Sequence, residues 1–211
     1  MKRFAMTIAV LITLAPALIF SKSIVFSNFI ISMIAILLSW VSTEFYIGLT
    51  RPCQGTEPKQ SLLMISRMFW LLFVIYSWVD IRYRWSTAEL PPWFLALLLA
   101  LCSAGLLIRI WAVIHSGKSF SYDVKKPESG NFIKTGPYRF IRHPAYLGIL
   151  ILGSLPGLIL GSIAGFLGML LTTLVPVIIR AKAEDELLEE EFGEDYIKYK
   201  RSTFGLIPFI Y

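Results

Sequence analysis

Residues 136–148 read GPYRFIRHPAYLG. Arg142 and His143 bring hydrogen-bond donors to one point, and Pro144 follows them. Proline is favoured at the first position of a helix, where its missing N–H costs nothing, so a helix is expected to start there. A helix N-terminus carries unpaired N–H groups and about half a positive charge. With Arg142 and His143 beside it, the sequence predicts a site for an anion or carboxylate, walled by Tyr138 and Tyr146. A second pair, Arg180 and Glu184, stands four residues apart, hence on one helix face. Arginines that hold a carboxylate, beside an acid that accepts from an amine or a ribose hydroxyl, suit a small zwitterion carrying an α-amino acid group. Blander readings exist for the same residues. Arg139, Arg142 and His143 also suit lipid phosphates at an interface, and an i,i+4 ion pair is most often a surface feature. Asp185, Glu189, Glu190, Glu194 and Asp195 read as a solvated face.

The elements around these residues are apolar. Of 211 residues, 56% are hydrophobic and 16% charged, against about 45–50% and about 25% in soluble domains. Blocks at 4–20, 24–47, 61–79, 91–114 and 145–179 are each mostly apolar. A membrane helix needs about 20 such residues, so the last block reads as a hairpin turning at Gly161 and Ser162. The expectation is an all-α, polytopic membrane protein of about six spans, forming one domain over 1–211. The first block follows Lys2 and Arg3 and is read as a span, with a cleaved signal peptide as the alternative. With the N-terminus inside, 15 of the 20 basic residues fall on inside segments, including the 115–143 loop and the C-terminal tail. That is the positive-inside pattern. It places the Arg-His cluster and the C-terminus on the cytoplasmic side and explains the net charge of +6 without nucleic acid.

Arg67 and Arg109 fall within spans, where a charge is expected either to snorkel or to lie near a ligand. Trp40, Tyr46, Trp70, Trp78, Trp85 and Trp93 are expected in interfacial belts. Gly153, Gly157, Gly161 and Gly165 recur every fourth residue, the spacing that lets membrane helices approach closely. Two cysteines and two histidines, Cys53, Cys102, His115 and His143, make no zinc pattern. After the last span the character changes: residues 180–211 hold eight of the fourteen acidic residues. Leu187, Leu188 and Phe192 keep an apolar stripe at helical spacing. One continuous helix is expected over 163 to about 191, ending at Gly193, then a short helix at 194–202 and a tail. Antiparallel hairpin geometry brings Arg180 and Glu184 back beside Arg142 and His143.

The combination of GPYRFIRHPAYLG, a two-helix hairpin, RAKAEDELLEEEFGEDYIKYK and LIPFI resembles the isoprenylcysteine carboxyl methyltransferase family and its phospholipid methyltransferase relatives. The resemblance covers roughly residues 105–211. It implies a membrane methyltransferase that uses S-adenosylmethionine in a non-Rossmann pocket, with four N-terminal spans (1–114) and a catalytic part at 115–211. It implies cofactor contacts from Gly130, Asn131, Phe132 and Ile133, from Tyr138, from His143, Pro144, Ala145 and Tyr146, and from Glu184, with Asp123 as a further one. Arg180 matches a contact to the substrate carboxylate, and Arg142 is a candidate for the same channel. Family members often carry a histidine where this chain has Gly130; backbone contacts survive that change. A carboxylate acceptor is ionised at neutral pH and needs no general base, which suits an arginine-rich site. An amine acceptor would need Glu184 or His143 as base. The acceptor is expected to be lipophilic, isoprenylcysteine-like and delivered from the bilayer, with no metal and no nucleic acid. The alternatives are a phospholipid amine N-methyltransferase and an NADPH-dependent reductase of the sterol-reductase type, which carries a similar R-H-P-x-Y element.

Overall fold

A computed structural model of the chain describes residues 24–50, 58–83, 90–117 and 132–206. Among these the architecture is all-helical: α1 (Ile24–Thr50), α2 (Pro58–Tyr83), α3 (Pro92–Ser116), a 3-10 turn (Gly136–Arg139), α4 (Pro144–Ile159), α5 (Ile163–Phe192) and α6 (Glu194–Ser202). The first apolar block lies outside the described residues. The Trp85, Cys53 and Asp123 expectations lie outside them too.

Two of the described helices, α3 and α5, are long and apolar enough to cross a membrane. Only about a third of each apolar window is buried, 33% and 39%. Leu97, Leu101, Leu107, Trp111, Leu167, Leu171 and Val175 face outward. A folded chain in water seldom leaves such apolar stripes uncovered. Helix α4 has 16 residues, or about 24 Å at 1.5 Å per residue, short of the ~30 Å hydrocarbon layer.

The helix limits follow from local chemistry. Pro144 occupies the first turn of α4 and Pro92 that of α3. The hairpin turns at Leu160–Ser162, where Gly161 takes φ +80°, a left-handed conformation that side chains resist. Ser162 then caps α5, accepting from the Gly165 N–H at 3.0 Å while its hydroxyl donates to buried Asp80 of α2. Helix α5 runs unbroken to Phe192 and stops at Gly193.

Helix α4 packs between α3 and α5, and α5 also packs against α2. The closeness rests on small residues. A Cβ on Gly157 would lie 2.4 Å from the Phe166 nitrogen, and one on Gly153 would meet Thr173 at 2.7 Å. A Cβ on Gly165 would lie 1.9 Å from Ser77 Oγ. Three of the four glycines thus serve packing, and Gly161 serves the turn. Three tryptophans also pack within the fold. Trp70 donates across to the Gly153 carbonyl at 2.5 Å, Trp40 donates to Glu44 at 3.1 Å, and Trp78 packs against the core. Trp93 is 69% exposed, as a belt residue would be.

Candidate functional site

The start of α4 and the far end of α5 meet, as the hairpin requires. His143, the N-cap of α4, is buried between two neighbouring acids of α5. Its Nε2 lies 2.9 Å from Asp185 Oδ1 and its Nδ1 3.5 Å from Glu184 Oε2. Tyr146, one turn on, donates its hydroxyl hydrogen to Glu184 and accepts from Arg180 Nε at 3.2 Å. Arg180 Nη2 stands 4.0 Å from Glu184 Oε1. The His143 and Tyr146 rings stack, with centroids 5.7 Å apart. Four expected site residues, His143, Tyr146, Arg180 and Glu184, therefore form one constellation.

The two adjacent acids diverge. Consecutive helical residues point about 100° apart, so Glu184 keeps 27% of its side chain exposed while Asp185 keeps 3%. Asp185 was expected on a solvated face. It is instead the buried hub of the junction, accepting from His143 and from the Tyr196 hydroxyl at 2.5 Å and facing Arg142 Nε at 3.5 Å. Glu189 stays on the solvated face and pairs there with Lys200. The signal that marks Asp185 is its spacing: it lies on the face of α5 that turns toward α6, which brings Tyr196 to it.

His143 and Asp185 lie at the N-cap and on the polar extension of α5, beyond the apolar stretches. Burial works against a charged imidazole, but the hydrogen bonds and charges of Asp185 and Glu184 outweigh it and raise the His143 pKa to about 9. Burial alone would raise the Asp185 carboxyl. The His143 hydrogen bond, helped by Tyr196 and Arg142, holds it below the usual carboxylate range. Burial, reinforced by the Asp185 charge, lifts the Tyr196 phenol far above its ordinary value. At neutral pH the junction thus holds an imidazolium between two carboxylates.

The two backbone donors just ahead of α4 are taken by the chain itself. Arg142 N–H donates to the Phe204 carbonyl at 2.8 Å and His143 N–H to that of Gly205 at 3.0 Å. Phe204 N–H donates back to Phe140, and an isolated parallel bridge joins Ile141 to Phe204. Arg142 is buried, with Nη1 donating to the carbonyls of Lys200 at 2.8 Å and Thr203 at 2.6 Å. Its guanidinium faces the C-terminal segment rather than Arg180. Pairing over more than 60 residues leaves no local trace in sequence, so the donors read there as open.

The other expected residues surround this junction. Pro144 and Ala145 are buried in the first turn of α4. Tyr138 donates to the Ala112 carbonyl at 3.3 Å, and its own carbonyl accepts from Tyr199 at 2.6 Å. Phe132 packs against Phe192, Tyr196 and Tyr199, with centroids 5.0–5.3 Å away. Ile133 is half-buried beside it. Gly130 and Asn131 lie outside the described residues. Gly136 takes φ +62°, and a Cβ there would strike the His115 ring at 2.7 Å; His115 in turn bonds Thr135 at 2.8 Å.

Of the two arginines read within spans, Arg67 is exposed on α2. Arg109 does not snorkel. It is 1% exposed, with Nε 2.8 Å and Nη2 3.2 Å from the two oxygens of Glu44 on α1. Nη1 stands 3.5 Å from the Ala145 carbonyl, which ties α1 and α3 to the start of α4.

Residues 97–190 match the isoprenylcysteine carboxyl methyltransferase (ICMT) family. A protein-S-isoprenylcysteine O-methyltransferase of Xenopus laevis is 24% identical, covering 71% of this chain and 54% of its own length. A methanethiol S-methyltransferase of Pseudomonas deceptionensis is 26% identical, covering 74% of this chain and 59% of its own. The chain thus spans about half the length of the curated relatives it matches. The solved structure of the eukaryotic intramembrane Ras methyltransferase ICMT superposes with a TM-score of 0.58 at 20% identity, over 88% of this chain and 67% of that one. The fold is shared.

Proposed function

We propose that this chain, whose residues 97–190 match the isoprenylcysteine carboxyl methyltransferase family, is an integral membrane methyltransferase of that family. Its methyl donor is S-adenosylmethionine and its acceptor the carboxylate of a lipophilic, isoprenylcysteine-like compound. The observation that carries this reading is the junction of His143 and Tyr146 with Arg180 and Glu184.

The donor set fits the cofactor. Glu184 is the partly open acid of the junction, with His143, Tyr146 and Arg180 fixing its carboxylate. An acid so placed accepts from an ammonium or from ribose hydroxyls. Tyr138, Pro144, Ala145, Tyr146, Phe132 and Ile133 supply apolar and aromatic walls. When bound, S-adenosylmethionine supplies an electrophilic methyl on a sulfonium. The chain's own residues align and dehydrate. Arg180 orients the acceptor carboxylate by a forked, charge-assisted hydrogen bond. The apolar walls keep water from the reacting atoms. Arg142 serves as a positioning residue that holds α6 and the C-terminal segment against the α4 start.

A carboxylate acceptor requires no proton removal. His143, already protonated and faced by an acid at each ring nitrogen, is a poor base for an amine. This favours the O-methyl acceptor over phospholipid amines. The positive-inside pattern supports a site and C-terminus facing the cytoplasm, and the outward apolar faces of α3 and α5 support embedding in a bilayer.

The test is methyl transfer by the full chain in detergent, using radiolabelled S-adenosylmethionine and an N-acetylated farnesylcysteine. The expected product releases labelled methanol in mild base, as a methyl ester does. Label stable to base, on a thiol or an amine, overturns the carboxylate assignment. Stabilisation by NADPH but not by S-adenosylhomocysteine overturns the methyltransferase reading.

A further inference from the structure

A second feature lies beside the C-terminal helix, and its residues are none of those assigned above to cofactor or acceptor. A recess of about 330 Å³ is lined by Lys134, Arg139, Asp195, Lys198, Tyr199, Ser202 and Thr203. At about 30 Å³ per water it has room for roughly ten waters, enough for a polar headgroup. Three cations converge on it from three elements: Lys134 from the segment before the 3-10 turn, Arg139 from the turn, and Lys198 from α6. One acid, Asp195, opposes them. Among the described residues no ion pair neutralises any of the three, whereas neighbouring Lys200 is taken by Glu189.

The setting of the recess marks its depth. Arg139 stands five residues before Pro144, where α4 begins. Phe140, next to it, is 63% exposed, and Phe204, bonded to Phe140 through the backbone, is 39% exposed. Solvent-exposed aromatic rings beside cations that no acid neutralises are the composition of a segment seated at the headgroup level of a bilayer.

We propose that this recess binds the phosphodiester headgroup of an anionic phospholipid, docking α6 on the inner membrane surface. The three cations meet the phosphate, and Phe140 and Phe204 dip beside the acyl chains. The inference rests on the membrane placement proposed above and is independent of methyl transfer.

The test uses the full chain in nanodiscs of phosphatidylcholine with increasing phosphatidylglycerol, reading lipid retained per protein and the thermal midpoint. Phosphatidylglycerol is expected to be retained and to raise the midpoint. Each basic residue near an anionic surface strengthens binding roughly fivefold, so Arg139→Gln with Lys198→Gln should weaken phosphatidylglycerol binding roughly 25-fold. The double variant should keep its midpoint in phosphatidylcholine alone, which reports folding. If it does not fold, Arg139→Gln alone should show roughly a fivefold loss. Lys182→Gln, an exposed cation of α5 outside the recess, should change binding less than twofold. An equal loss in Lys182→Gln, no preference over phosphatidylcholine, or equal protection by inorganic phosphate in detergent would each overturn the proposal. Failure of methyl transfer with phosphatidylglycerol binding intact would strike the enzymatic reading and leave this one standing.

Discussion

Asp185 accepts a 2.9 Å hydrogen bond from His143 Nε2, joining the polar extension of α5 to the first residue ahead of α4. The two residues are 42 positions apart, both are buried, and Tyr196 and Arg142 close on the same carboxylate. This contact decides the charge state of the junction, and a pH dependence follows from it.

The folded His143 pKa is raised to about 9 from an ordinary 6.5. Its ion pairs therefore stabilise fully below about pH 6.5 and are lost as pH rises through about 9. Among the groups facing it, Glu184 and Asp185 are acids, and buried Tyr196 is pushed above the window. The thermal midpoint in detergent is expected to hold up to about pH 6.5, to fall by several degrees between there and about pH 9 and to level off above. Asp185→Asn should flatten that fall, and an unchanged alkaline fall in this variant would exclude the His143–Asp185 pair as its source.

Arg180 and Glu184 should separate kinetically. Arg180→Ala is expected to abolish methyl transfer while S-adenosylhomocysteine still binds within a few-fold of the parent. Glu184→Gln should weaken S-adenosylhomocysteine about tenfold, the scale of one charge-assisted hydrogen bond. Isothermal titration checks both. A folded Arg180→Ala that loses the cofactor product, or a Glu184→Gln that binds unchanged, contradicts the assigned roles.

The Arg109–Glu44 pair predicts a strong coupling. Removing one partner of a buried pair strands the other, at a cost of about 3–5 kcal/mol. Glu44 is 24% exposed, which puts Arg109→Leu and Glu44→Leu near the low end, about 3 kcal/mol each. The double variant should recover much of the loss. Additive losses in a double-mutant cycle would show that the contact carries no coupling.

Gly157 and Gly153 should differ in tolerance. A Cβ at 157 strikes the Phe166 backbone at 2.4 Å, while one at 153 meets the movable Thr173 side chain. Gly157→Ala is expected at or above the top of the ~1–3 kcal/mol range for overpacking, with Gly153→Ala cheaper. The order of their midpoints is the readout, and the reverse order would contradict the hairpin contact.

Phe204→Pro removes the N–H that bonds Phe140 and should free the C-terminal segment. The Arg142 and His143 amides would then exchange with solvent at least tenfold faster, as read by hydrogen–deuterium exchange. Unchanged protection would show that other contacts hold the segment.

Much of this molecule is written locally. Pro144, Gly161, Ser162 and Gly193 mark helix limits through backbone chemistry that acts within a few residues. That is why α5 at Ile163–Phe192 and α6 at Glu194–Ser202 agree with limits readable from the chain. The hairpin then requires that Arg180 and Glu184 return to His143 and Tyr146, because antiparallel helices joined by a tight turn have no other register.

What only the tertiary structure decided is which polar groups have partners. Asp185 turned inward and Glu184 outward because of where α6 folds back. The Arg142 and His143 amides were claimed by Phe204 and Gly205, some 60 residues away. Arg109 found Glu44 across 65 positions. Sequence spacing specifies the face of a helix, but burial and pairing depend on what packs against that face, and that neighbour is set by long-range contacts the local pattern does not encode.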